Sequence, residues 1–216
     1  MRRTPKETAW RRNRKFGDVH GGRTRPRLVD NVFNRQHSLQ PPGPHDERPI
    51  TITDNPSRDF FFPVTADEVL ATLRSLPSDH VATLTHVWLR RVRKRDFAAA
   101  PQASFICGSG VRLVVLYPWP RDMLLRLGAK EPQGRALNQY RAWCTNLIQT
   151  EGEWALRWTE ESLRRYYLEH LVLHEVGHHV DWYQRHWSKA NAKQVEDFAD
   201  NYAACWSASG KQEYKG

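Results

Sequence analysis

The sequence predicts an α+β fold, a small and mostly antiparallel sheet packed on two C-terminal helices. Three observations carry this expectation. Residues 81–157 hold short segments rich in β-branched and aromatic residues, separated by glycine-containing turns. Residues 160–206 instead repeat their apolar residues at helical spacing. One more helical stripe precedes the strands, so helices and strands are segregated along the chain rather than alternating.

The elements follow in order. Residues 1–58 read as a basic tail. "MRRTPKETAWRRNRKFGDVHGGRTRPR" and "QPPGPHDERP" are rich in Arg, Gly and Pro and lack hydrophobic periodicity. Such a composition buries too little surface to offset the entropy of ordering. The folded domain is expected over residues 59–210, followed by a short C-terminal tail, 211–216. "VTADEVLATLRSLP" opens with Thr65 and Glu68 at capping-box spacing, and Val64 and Val69 stand where a hydrophobic staple would. Val69, Leu70, Leu73 and Leu76 then form a helical stripe that Pro77 ends. "VATLTHVWLRRV" reads as a strand. "ASFICGSGVRLVVLYP" reads as two strands joined at Gly108-Ser109-Gly110, and "TNLIQTEGEWALRWT" as a hairpin turning at Glu151-Gly152-Glu153. A weaker helix is expected between Pro120 and Cys144. Thr159 is a good N-cap for a long helix from about 160 to the mid-180s. A second helix is expected from Asn191 to about Ser207.

Bulk properties narrow the function classes. The chain of 216 residues carries a formal net charge of +9. Residues 1–50 hold twelve Lys/Arg against five Asp/Glu, so most of the excess lies there. That tail suits either a solvated segment or an electrostatic arm for nucleic acid, with Trp10 and Phe16 as stacking groups. No run approaches 18 apolar residues, so no membrane helix is expected. The N-terminus has no apolar signal core. Three cysteines without close pairing point to a reducing, cytoplasmic setting.

The chemistry concentrates in "LEHLVLHEVGHHVDWY", residues 168–183. His174-Glu175-Val176-Gly177-His178 matches H-E-x-x-H. Residues i and i+4 share a helix face, so His174 and His178 can converge on one ion, with Glu175 beside it. A catalytic zinc needs three protein ligands and an open position, so a third must come from elsewhere. In "VEDFADNYAA", Glu196 and Asp200 stand at i and i+4 on the flank of the second helix. Glu196 follows His178 by 18 residues, room for a turn and an antiparallel return. It can be the third ligand, and Asp200 can hold a histidine ligand through its free ring N–H. Gly177 is costly inside a helix; its expected use is close approach by the face carrying Ala199 and Ala203. His170, His179 and Asp181 read as helix-surface or core groups, with Asp181 also placed to support the ligands. A satisfied polar network in the core is the alternative to a metal site.

The pattern H-E-x-x-H followed by Glu-x-x-Ala-Asp on a second helix resembles the gluzincin class of zinc metallopeptidases, especially its minimal members. The resemblance spans roughly residues 60–208, with specific motifs only in the last two helices. It implies a minimal zincin-like domain with Zn2+ on His174, His178 and Glu196 and with Glu175 as general base. It implies that Glu175 takes a proton from the attacking water and passes it to the leaving amine of a peptide or protein substrate. The class also uses a Tyr or His on the oxyanion, for which Tyr202, Tyr183 and His186 are candidates. The metzincin variant fails, because Asp181 and Gln184 stand where it needs Gly and His. "WALRW", residues 154–158, is expected to offer an edge to an extended substrate. Two other readings stand beside this one: a metal-binding domain without turnover, and a nucleic-acid-associated protein working through its tail.

Overall fold

The computed structural model describes residues 39–99, 101–108, 110–185 and 192–208. Most of the expected basic tail, the Ser109 turn position, His186 and the segment before the last helix lie outside the described residues.

The fold is α+β, as expected. Its largest sheet has four strands: β1 (Ile50–Thr53), β3 (His86–Leu89), β4 (Ala103–Gly108) and β5 (Val111–Leu116), in the order β1-β3-β5-β4. β4 and β5 form the expected hairpin, and Gly110 takes a φ of +80°, which favours glycine. The β1–β3 and β3–β5 pairs are parallel, so this sheet is mixed. Antiparallel pairing holds everywhere else. β2 (Phe60–Phe61) pairs with β6 (Trp119–Pro120) as a short ribbon. β7 (Leu124–Gly128), β9 (Glu153–Arg157) and β8 (Leu147–Thr150) form a three-stranded sheet in that order.

Burial explains the uninterrupted apolar run of β5. Val114 and Leu116 join the main core, while Val111, Leu113 and Val115 join a second cluster on the opposite face with Ile106. Leu39, Trp88 and Tyr117 pack against that second cluster. A central strand covered on both faces needs no polar alternation.

Helix α1 (Ala66–Arg74) starts at Thr65, whose side chain and that of Glu68 close the expected capping box. A short helix α2 (Ser78–Val81) ends at the first residue of the segment expected as a strand, and of that segment only the four residues of β3 are strand. Helix α4 (Glu160–Tyr166) is capped by Thr159 and runs through a π turn (Tyr167–Leu171) into α5 (Val172–Arg185). Helix α6 (Ala192–Trp206) returns against α5.

Three expectations need correction. Residues 50–53 were expected in the tail, yet they form β1. Ile50 and Ile52 are half-buried between exposed threonines, a four-residue alternation too short to stand out beside the Pro-rich segment before it. The helix expected between Pro120 and Cys144 shrinks to α3 (Gly134–Asn138), because Leu124–Gly128 is drawn into β7 by pairing with β9. "WALRW" is not an edge: β9 lies between β7 and β8, with both sides hydrogen-bonded.

Candidate metal centre

The site begins with helix periodicity. His174 and His178 lie one turn apart on α5, and their rings stand 4.6 Å apart at 90°. Each side chain is only about one-seventh exposed, at 16% and 13%. Residues 176, 177 and 180 face the opposite way and are buried. The two imidazoles therefore share one side of α5, and His174 on that side lines a cleft together with Glu175.

Helix α6 supplies the third group. Glu196 Oε2 lies 3.4 Å from His174 Nε2 and 3.7 Å from His178 Nε2. One donor atom from each of the three residues falls within 4.8 Å of the others. A tetrahedral zinc with bonds of about 2.05 Å separates its ligand atoms by about 3.3 Å, so the two imidazole-to-carboxylate spacings fit such an ion. Asp200 Oδ1 accepts a 2.9 Å hydrogen bond from His174 Nδ1. A carboxylate can only accept here, so the proton sits on Nδ1 and the Nε2 lone pair faces the centre. Burial and the neighbouring His174 pull the His178 pKa down to about 4, which keeps its ring neutral and able to donate electrons near pH 7. The donor set of two imidazoles and one carboxylate is a zinc-compatible one.

Glu175 is 6% exposed beside this group. Burial raises its pKa to about 8, the main-chain N–H of Phe105 on β4 opposes the rise, and the Glu196 charge adds to it. A carboxyl group that changes protonation near neutral pH is suited to accepting and returning a proton.

Close helix approach sets this geometry. A Cβ added to Gly177 would stand 2.8 Å from Ala199 Cα and 3.1 Å from Tyr202 Cβ. No side chain larger than hydrogen fits at that crossing. The expected partner face, Ala199 with Ala203, is buried in the same contact. The α6 helix is also tied to α2, where His80 Nδ1 and the Tyr202 hydroxyl hydrogen-bond at 2.8 Å.

The remaining expected residues sort by face. Tyr202 is committed to His80 and does not line the cleft, so it is a poor oxyanion group. The Tyr183 side chain and His186 lie outside the described residues. His170 does line the cleft, half-buried and stacked on Tyr166 at 5.3 Å. His179 points away, toward Thr83 at 3.2 Å and the Phe105 ring. Asp181 is fully buried and does not line the cleft.

Several cleft residues carry no sequence signal. Gln102, Tyr117, Gln139 and Tyr140 form part of the cleft wall: Gln102 precedes β4, Tyr117 follows β5, and Gln139 with Tyr140 make the turn after α3. Tyr166 donates a 2.6 Å hydrogen bond to Gln102, which ties that wall to the helix before the site. Only long-range packing assembles them. Among the described residues no helix is long and apolar enough to cross a membrane. Comparison of the chain with protein-family models, with curated proteins and with solved structures found no match.

Proposed function

We propose that this chain is a zinc-dependent peptidase that hydrolyses peptide bonds. The observation that carries the reading is the convergence of His174, His178 and Glu196, with Asp200 behind His174 and a buried Glu175 beside them. When bound, zinc supplies a Lewis acid that polarises a carbonyl and acidifies water. The rest of the chemistry belongs to the chain. His174 and His178 offer neutral nitrogens, Glu196 a carboxylate oxygen, and Asp200 holds the His174 ring in its tautomer. Glu175 takes a proton from the attacking water as the new C–O bond forms. It returns that proton to the leaving nitrogen as the C–N bond breaks.

The free edge of β4 supports an extended substrate. Tyr117 N–H bonds to the Gln102 carbonyl, so pairing alternation turns the main-chain groups of Ala103 and Phe105 away from β5. The Phe105 N–H meets Glu175. The Ala103 groups remain at the cleft wall for a peptide strand.

The test pairs metal analysis with hydrolysis of a mixed peptide pool. Wild-type protein should bind about one zinc per chain and cleave. Glu175→Gln should keep the zinc and lose cleavage by about 10²–10⁴-fold, the range of a general base. Full activity in Glu175→Gln would sink the mechanism, and unchanged zinc in Glu196→Ala would move the third ligand elsewhere.

A further inference from the structure

The cleft extends well beyond the metal group. It encloses about 1250 Å3 and reaches from α5 and α6 to the β2–β6 ribbon and the loop after it. Its two ends differ in charge. Glu196 and Asp200 stand at the helix end; Arg58, Lys94, Arg121 and Arg126 stand at the ribbon end with Asp59 and Asp122.

The two aspartates are already partnered. Asp59 pairs with Lys94 at 3.3 Å and Asp122 with Arg126 at 2.7 Å. Arg58 and Arg121 meet no carboxylate among the described residues. Arg121 is held in place all the same. Its main-chain N–H donates to the Asp59 carbonyl at 3.0 Å, and its Nε donates to the Arg58 carbonyl at 3.1 Å. With Nε committed, the two terminal nitrogens of its fork remain, and a carboxylate can accept from both.

We propose that Arg58 and Arg121 form a carboxylate subsite of this cleft, so that the chain selects peptides bearing a carboxylate at one position within a few residues of the bond cut. The proposal rests on the peptidase reading above. The ribbon is anchored on the helix that carries the metal group. The Trp119 ring packs on Tyr167 at 6.4 Å, and the Tyr167 hydroxyl donates to the Tyr117 carbonyl at 2.7 Å. Tyr167 lies in the π turn that runs into α5, seven residues before His174, so the arginine end and the metal end of the cleft are tied to one continuous helix. A side chain of Asp or Glu and a C-terminal carboxylate present the same chemistry.

The experiment uses a peptide cleaved from the pool, with one Glu or one Gln scanned from four residues before the bond to four after. One series is C-terminally amidated; a second has a free C-terminus and Gln only. A preference in the amidated series marks a side-chain carboxylate, and one in the free series marks the chain end. Charge-assisted hydrogen bonds at a partly exposed site should raise kcat/KM for Glu over Gln by about tenfold at one position. The ratio should fall toward one in Arg58→Gln/Arg121→Gln and below one in Arg121→Glu. Equal rates for Glu, Gln and the free C-terminus in wild type, or a preference that survives the double substitution, would overturn the subsite. Binding of labelled peptides to Glu175→Gln, read by fluorescence anisotropy, separates the two claims. If no peptide of the pool is cleaved but a Glu-bearing pool peptide binds about tenfold tighter than its Gln twin, the peptidase reading fails and the subsite stands. If both bind equally, the subsite fails whatever the activity.

Discussion

His178 and His179 are adjacent in the chain and opposite in use. His178 faces the metal-binding group, with its ring on His174 and Nε2 within 3.7 Å of Glu196. His179 is 1% exposed on the core side, against Thr83 and Phe105. Both rings have a pKa near 4, chiefly through burial. The second contribution differs: His174 acts on His178, and Arg112 acts on His179. The same titration behaviour thus accompanies a ligand and a packing group. A helix turns about 100° per residue, so one step along the chain carries a side chain from the side facing Glu196 to the core. The lesson is that a depressed histidine pKa does not identify function here. The orientation of the ring and the acid it faces do.

Substitutions on the two faces should separate cleanly. The largest effect is expected from His178→Ala, which should bring bound zinc from about one per chain to near zero in metal analysis, because a catalytic site needs three protein ligands. The melting midpoint of the metal-free protein should barely move. Retained stoichiometric zinc would mean that His178 is not a ligand.

His179→Ala should do the reverse, keeping the metal and losing about 3 kcal/mol of stability through the cavity it opens. It should also flatten the acid side of the stability profile of the metal-free protein. The folded pKa of about 4 lies below the ordinary value of 6.5. Between those values the unfolded chain takes a proton that the folded ring refuses. Stability is therefore full above pH 6.5 and falls as pH drops toward 4. Denaturant titrations at pH 7 and pH 5 would show the limb, and an unchanged pH 5 deficit in the variant would assign it to other groups.

Gly177→Ala addresses the crossing that joins the faces. Its methyl would press on the Ala199 backbone at 2.8 Å, and overpacking of this kind costs about 2 kcal/mol. Because Ala199 lies between Glu196 and Asp200, zinc affinity should weaken as well; a stable variant with unaltered affinity would show that the helices separate freely. The smallest effect is expected from Asp200→Asn. The amide still accepts from His174 Nδ1 but lacks the charge, so zinc affinity should fall about tenfold. Equal affinity by competition with a chelator would show that the 2.9 Å contact is structural only.

The helical part of the molecule was legible because its signals are local. Thr65 with Glu68, Thr159, and the i, i+4 pairs His174/His178 and Glu196/Asp200 all act within one or two turns. Even the role of Gly177 followed from its cost in a helix and from two small residues downstream. The sheet was less legible. The two hairpins announced themselves through glycine turns, and Glu151-Gly152 takes φ values of +50° and +82°, as a tight two-residue turn requires. β1, β2, β6 and β7 did not, because strands of two to five residues draw their stability from partners far along the chain.

The sequence by itself determined that two imidazoles and a glutamate share one helix stripe, and that an acid pair follows on a second helix. Helix geometry sets those relations through covalent spacing alone. Only the tertiary structure decided that Glu196 comes to 3.4 Å from His174, that β4 rather than β9 offers the open edge, and that Arg58 and Arg121 wall the far end of the cleft. Each of those depends on pairing or packing between segments tens of residues apart. Contacts of that range are chosen by how whole faces bury together, and no local pattern encodes the choice.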